Sequence, residues 1–228
     1  MPTNPLRGPG VAPASGRPAR QLVVFLHGVG ADGDDLISLS PYFAEALPDA
    51  EFLSPNGPFA FDMAPAGHQW FSLQDRSPQA ILDGIRTAAP LLDSFLDEQL
   101  AARRLTEDNL ALVGFSQGTM MALYVALRRP RPCAAVVGYS GLLAAPDLLP
   151  AEIKVRPRVL LVHGEVDEVV PHGFLPLAKS ALELMGVPVV SLSYPDLGHG
   201  INDEGLMAGI RFVAEGFGAS TPYCPDPN

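Results

Sequence analysis

The sequence has few cysteines and no long apolar run. Only Cys133 and Cys224 are present among 228 residues, so the fold cannot depend on a disulfide framework. We expect a reduced pair, with a single bridge as the alternative. No run of about 18 apolar residues occurs, so we expect no membrane-spanning helix. Residues 1–20 are rich in Pro, Gly and Ala and lack the apolar core of a signal peptide, so a cytoplasmic location is the default expectation.

Basic and aromatic residues are also scarce. The chain has 15 Lys and Arg against 25 Asp and Glu, which gives a formal net charge of -10 and a pI near 4.8. Because an acidic surface repels phosphate backbones, we expect no nucleic-acid partner. Aromatic residues make up 7% of the chain and hydrophobic residues 47%. This composition predicts a sizeable core built mainly from aliphatic side chains.

The pattern of apolar residues predicts one α/β domain. We expect a loose N-terminal segment over residues 1–20, part of which could add an edge strand, a single domain over 21–218 and a tail over 219–228. Short apolar runs alternate with helical periodicity, which is typical of a mainly parallel sheet with helices on both faces. The predicted strands are 21–26, 51–53, 109–115, 134–137, 159–163 and 187–194, and the predicted helices are 34–47, 78–100, 118–129, 174–185 and 204–217. Ser77 is expected to cap the long helix with Pro78 at its first position, and Pro90 to kink or break it.

The strongest local motif is G-x-S-x-G at Gly114 to Gly118, between a predicted strand and a predicted helix. In this setting Ser116 is a candidate nucleophile. A sharp strand-to-helix turn lifts its hydroxyl clear of the sheet, and the glycines let the backbones approach closely. The N-terminus of the next helix directs amides and positive dipole at the serine.

A serine hydroxyl needs a base, and the base needs an orienting group. Asp167 follows the strand 159–163, and His199 follows the strand 187–194, so the chain order Ser, Asp, His is the one expected for an α/β-hydrolase. Glu165 is a poorer carboxylate because it lies nearer the strand. Asp196 is a second rival that we interpret as a loop-stabilising residue.

The remaining histidines are interpreted as structural: His163 as a packed strand-end residue, and His27, His68 and His172 as turn or loop residues. No ligand pair at a recognisable spacing predicts a metal site. His27-Gly28-Val29-Gly30 follows the first long strand and suits one oxyanion donor, with the Gln117 amide as the second. The alternative is that this segment only links a strand to a helix, and the two interpretations are compatible.

Seven segments in order, FLHGVGADGDDL, SPNGP, HQWF, LVGFSQGTMMAL, YSG, VHGEVDEVVP and YPDLGHG, make the chain similar to the phospholipase/carboxylesterase family of α/β-hydrolases. The resemblance covers residues 21–216. It implies Ser116, Asp167 and His199 as the catalytic triad and the amides of Val29 and Gln117 as the oxyanion hole. It places Trp70 beside an acyl channel. It also implies hydrolysis of esters or thioesters of monocarboxylic acids, no cofactor and no large lid, and allows a homodimer because some members dimerise.

Three positions depart from the family pattern: Ser72 where aspartate is common, Thr119 where glycine is frequent, and Gly200 where mammalian thioesterases carry serine. None belongs to the triad, but they weaken the transfer of a substrate preference from the family to this chain. The segment 58–71, with Met63 and Trp70, could form the wall of an acyl pocket or be a surface loop packed by its own side chains.

The leading hypothesis for the function is a serine carboxylesterase. Alternatives are a thioesterase, lysophospholipase or acyltransferase with the same site and, more remotely, a non-catalytic binding protein on this scaffold.

Overall fold

A twisted sheet of seven strands forms the centre of the computed structural model, which describes residues 6–219. The strands in chain order are β1 (Gly10–Val11), β2 (Gln21–Leu26), β3 (Ala50–Leu53), β4 (Phe59–Ala60), β5 (His68–Gln69), β6 (Leu110–Phe115), β7 (Ala135–Tyr139), β8 (Val159–Gly164) and β9 (Val189–Tyr194). The central sheet has the order β1-β3-β2-β6-β7-β8-β9, while β4 and β5 form a separate antiparallel hairpin. All pairs in the central sheet are parallel except β1 with β3. The predicted α/β-hydrolase fold class is therefore confirmed.

Helices cover both faces of this sheet. They are α1 (Gly33–Ile37), α2 (Ser40–Ala46), α3 (Pro78–Arg103), α4 (Gln117–Ala126), α5 (Leu149–Glu152), α6 (Phe174–Leu184) and α7 (Asp203–Gly216). Successive residues of a strand point to opposite faces, so Leu22, Val24 and Leu26 pack with α3 and α4, whereas Val23 and Phe25 pack with α1, α2 and α7. The near-continuous apolar sequence of the inner strands follows from this double burial. No helix between residues 6 and 219 has the length and apolar character needed to cross a bilayer.

Two predicted helices differ from expectation. The helix expected over 34–47 is divided into α1 and α2, since Pro41 lies in the first turn of α2 and has no N–H with which to continue the hydrogen bonding of α1. Conversely, α3 runs without a break through Pro90. Its buried face continues on both sides of Pro90, from Ile85 to Leu96, so packing outweighs the one lost hydrogen bond.

The ends of the chain bear on two further predictions. The N-terminal segment supplies the edge strand β1, which pairs antiparallel with β3. Cys133 is buried and free, whereas Cys224 lies outside the described residues.

Ser77 caps α3 as predicted: its side chain accepts a hydrogen bond from the Ala80 amide, with Pro78 at the helix start.

Candidate active site

Ser116 lies directly after β6, the middle strand of the sheet, and immediately before α4. Its backbone has φ 54° and ψ -115°, a conformation that residues with a Cβ rarely adopt. A Cβ on Gly118 would lie 1.8 Å from the Leu26 carbonyl oxygen, and one on Gly114 would lie 2.5 Å from the Gly118 oxygen. Both glycines of the motif are therefore required for helix and sheet to approach this closely, and the sharp turn expected from the sequence is present.

Asp167 and His199 meet at the same edge of the sheet. Asp167 follows β8 and His199 follows β9, and His199 Nδ1 lies 2.8 Å from Asp167 Oδ2. The other carboxylate oxygen, Oδ1, accepts hydrogen bonds from the amides of Val169 and Val170 at 2.9 and 2.8 Å. Burial of Asp167 opposes ionisation, but these donors together lower its pKa. The carboxylate is thus ionised at neutral pH, and His199 donates to it through Nδ1.

His163 provides a further contact to Asp167 that its interpretation as a packed strand-end residue did not foresee. Its Nε2 lies 2.8 Å from the Val170 carbonyl oxygen and 3.2 Å from Asp167 Oδ2. Burial lowers the pKa of His163, so the ring is neutral at neutral pH and its Nε2–H points at these two oxygens. Two histidines therefore contact the same carboxylate oxygen.

The two rival carboxylates are directed elsewhere. Glu165 is exposed and accepts a hydrogen bond from Ser193 Oγ at 2.8 Å, and Asp196 is exposed on the loop after β9. Ser193 Oγ also lies 2.9 Å from His172 Nε2. Among the three carboxylates considered from the sequence, only Asp167 contacts His199.

His199 also lies next to the strand end that carries Ser116. Its ring packs against Phe115 with 4.9 Å between centroids, and its side chain is 18% exposed. Within residues 6–219 no hydrogen bond joins the Ser116 hydroxyl to His199. Such contacts are often long before a substrate is bound. The Ser140 hydroxyl donates to the Gly200 carbonyl at 3.2 Å and so ties the His199 loop to the end of β7, a role not predicted from the sequence.

The loop after β2 lies beside Ser116. A Cβ placed on Gly28 would be 3.5 Å from the Ser116 Cβ. In the part of the chain that the structure describes, neither the Val29 amide nor the Gln117 amide donates a hydrogen bond to protein. Two free N–H groups close to a strained serine are suited to stabilising negative charge on a substrate oxygen.

Trp70 and Met63, the two residues of the segment 58–71 considered for an acyl pocket, have different surroundings. Trp70 is fully buried, and its indole nitrogen donates to the His27 carbonyl at 3.0 Å. Met63 is 60% exposed at the tip of the β4–β5 hairpin. Neither residue borders the apolar cleft described next. Burial of Trp70 depends on contacts with residues far away in the chain, which the sequence pattern does not reveal.

An apolar cleft with a volume of about 370 Å³ is formed by residues from α3, α6 and the loop after β7. Gly141, the residue before its lining residue Leu142, approaches the Ser116 turn, because a Cβ on Gly141 would lie 2.9 Å from the Ser116 carbonyl oxygen. Three separate parts of the chain contribute to it: the start of α3, the loop after β7 and the first turns of α6. Its lining residues are Arg76, Pro78, Ile81, Leu142, Leu143, Ala144, Ala145, Pro146, Asp147, Phe174, Leu177 and Ala178. Only the apolar run after Tyr-Ser-Gly could have indicated it from sequence.

The fold and this arrangement of residues place the protein among the α/β-hydrolases. A family model described as Phospholipase/Carboxylesterase matches residues 11–215, and the chain belongs to that family. It is a serine hydrolase of the carboxylesterase type. No group of three or more potential metal ligands is found between residues 6 and 219.

Individual relatives agree with this assignment. The esterase YpfH of Escherichia coli is 30% identical over 193 residues, which cover 83% of this chain and 80% of the relative. Acyl-protein thioesterase 1 of Saccharomyces cerevisiae is 28% identical over 170 residues, or 69% of this chain and 74% of the relative. The crystal structure of esterase PE8 superposes with a TM-score of 0.88 at 42% identity, covering 92% of this chain and 98% of the other.

Proposed function

We propose that this protein hydrolyses carboxylic esters or thioesters of monocarboxylic acids through an acyl-enzyme on Ser116. The observation that carries the proposal is the 2.8 Å contact between His199 and the ionised Asp167, formed beside a serine held in a strained turn. In the neutral ring, donation from Nδ1 of His199 to Asp167 leaves Nε2 without a proton. Nε2 is then the nitrogen that can act as a base.

The proposed reaction has two halves. His199 Nε2 takes the Ser116 proton while Oγ attacks the substrate carbonyl carbon, and the amides of Val29 and Gln117 stabilise the resulting oxyanion. The tetrahedral intermediate collapses when His199 returns the proton to the leaving alcohol or thiol. Water, deprotonated by His199, then attacks the acyl-enzyme. The attack forms a second tetrahedral intermediate. Its collapse, with return of the proton from His199 to Oγ, releases the carboxylic acid and restores the Ser116 hydroxyl.

The acyl group fits the apolar cleft better than the segment 58–71. The cleft is lined from Leu142, next to Gly141 at the Ser116 turn, and its walls are mostly aliphatic, with Arg76 and Asp147 as its charged members. Each buried methylene contributes about 0.8 kcal/mol, so the cleft favours a medium-length alkyl chain over acetate. Esters and thioesters of the same acid carry the same acyl group, and the relatives include both an esterase and a thioesterase.

Labelling with a fluorophosphonate tests the proposed nucleophile directly. We expect one adduct per chain, on the tryptic peptide that contains Ser116, because the reagent needs a serine activated by a neighbouring base. The labelled protein should lose hydrolysis of nitrophenyl esters in proportion to labelling. The Ser193→Ala variant, which removes an exposed hydroxyl outside the proposed site, serves as a control and should label normally. A folded protein that neither labels nor hydrolyses any ester or thioester would favour a binding role.

A charge placed at the cleft should change the chain-length preference. Leu177 lines the cleft and is 66% exposed, so Leu177→Glu should fold normally while making the cleft unfavourable for an alkyl chain. We expect kcat/KM for nitrophenyl octanoate to fall about 10-fold and that for the acetate to change less than about twofold. The matched control is Leu184→Glu, on the same helix, 80% exposed and outside the cleft. Equal losses on both esters, or equal effects of both variants, would show that the acyl chain does not bind in this cleft.

A further inference from the structure

The segment from Gly57 to Phe71, here called the bridging segment, is attached to the oxyanion loop at several points. The Gly57 amide donates to His27 Nε2 at 2.8 Å. The Gly30 amide donates to the His68 carbonyl at 2.8 Å, and the His68 amide donates to the Ala31 carbonyl at 2.7 Å. The Trp70 indole donates to the His27 carbonyl. The bridging segment therefore holds the backbone on both sides of Val29.

The ring of His27 fits this attachment in one protonation state. Its Nε2 accepts from the Gly57 amide and so carries no proton, while Nδ1 lies 2.7 Å from the Gly28 carbonyl and must donate to it. Burial lowers the pKa of His27. The neutral Nδ1–H form thus fixes the carbonyl of Gly28, one residue before the proposed donor Val29.

The same bridging segment is attached to the turn at Ser116 by the side chain of Gln117. The Trp70 amide donates to Gln117 Oε1 at 2.8 Å, and Gln117 Nε2 donates to the Phe71 carbonyl at 2.7 Å. Both Gln117 and Trp70 are fully buried, so these bonds are not exchanged with solvent. The residue whose backbone amide is the second proposed oxyanion donor is therefore connected through Trp70 to the loop that carries the first.

We propose that Gln117 and Trp70 are positioning residues for the oxyanion hole: the side chain of Gln117 and the indole N–H of Trp70 fix the spacing between the Val29 and Gln117 amides. This inference rests on the proposed function. Oxyanion stabilisation depends on donors held in place before the charge develops, so a small displacement of either amide weakens transition-state binding more than substrate binding. A role confined to core packing would instead require only the volume of the Trp70 ring.

The single tryptophan makes a one-atom test available. The chain contains one Trp, so growth on the benzothiophene analogue of tryptophan replaces Trp70 alone and exchanges its N–H for sulfur with little change in shape. We expect kcat/KM for nitrophenyl esters to fall about 10-fold, less than the 10²–10³ lost with a whole donor. The inhibition constant of an alkyl trifluoromethyl ketone, whose serine adduct places an oxyanion in the hole, should rise by the same factor. Binding of the corresponding alcohol, which forms no adduct, should be unchanged.

A second variant makes the test independent of the analogue. Gln117→Met keeps the backbone amide and the side-chain length but removes both hydrogen bonds to the bridging segment, and the same parallel loss of kcat/KM and ketone affinity is expected. Two results would overturn the proposal: kcat/KM within twofold of the unmodified protein, or an equal weakening of ketone and alcohol, which indicates damage to the fold or cleft. The proposed function has its own test in Ser116→Ala. Retained hydrolysis there refutes the nucleophile, whereas an inactive Ser116→Ala together with an unaffected Trp70 replacement refutes only the positioning role.

Discussion

Replacing Ser116 with alanine is expected to lower the hydrolysis of nitrophenyl esters by about 10⁵-fold or more, to the level set by the remaining oxyanion donors and the cleft. The loss is this large because Oγ itself forms the proposed acyl-enzyme bond, which alanine cannot form. Alanine differs from serine by one atom and has the same backbone preferences. The variant should therefore keep the far-ultraviolet circular dichroism and melting temperature of the native chain, and steady-state kinetics then report on chemistry alone.

Ser140 is a close structural match for Ser116 and serves as its control. It also follows a strand of the sheet, is buried and has a positive φ of 46°. Because its hydroxyl donates to the Gly200 carbonyl, Ser140→Ala should loosen the His199 loop and reduce kcat by less than about 10-fold. If Ser140→Ala is inactive while Ser116→Ala retains hydrolysis, the proposed nucleophile is wrong.

Local patterns in the sequence were sufficient for the features that depend on neighbouring residues. The turn at Ser116 needs two glycines around the serine and an apolar strand before it, and all three are visible in the sequence. The strand ends that carry Asp167 and His199 follow from short apolar runs closed by polar loops. In a parallel sheet these ends come to the same edge, so the approach of Asp167 to His199 could be expected before any coordinates.

Features assembled from distant parts of the chain could not be predicted in this way. The apolar cleft takes residues from α3, α6 and the loop after β7, and no single segment carries its signature. Trp70 is the kind of residue often found in apolar pockets. Here its indole N–H donates to the His27 carbonyl and its backbone amide donates to Gln117 Oε1. The role of His163 was hidden for the same reason: a buried histidine at a strand end looks structural until its nearest carboxylate is known.

The contacts around Asp167 lead to the second large expected effect. Asp167→Asn should reduce kcat by about 10⁴-fold at neutral pH with little change in KM. The amides of Val169 and Val170 both donate to Oδ1, so the asparagine oxygen will occupy that place and its NH₂ group will face His199 and His163. A donor at this position forces His199 to present a lone pair at Nδ1 and to carry its proton on Nε2. That tautomer cannot accept the Ser116 proton.

The rival carboxylates supply matched controls for this variant. Glu165→Gln and Asp196→Asn make the same change of acid to amide on exposed residues of the loops after β8 and β9, and both should keep kcat within about twofold of the native chain. The pKa of Asp167 is lowered in the folded protein, so its carboxylate remains charged well below neutral pH and is available to orient His199 wherever that ring is neutral. A 10⁴-fold loss in either rival variant, with Asp167→Asn active, would move the orienting role to that residue and leave the Asp167–His199 contact as a structural one.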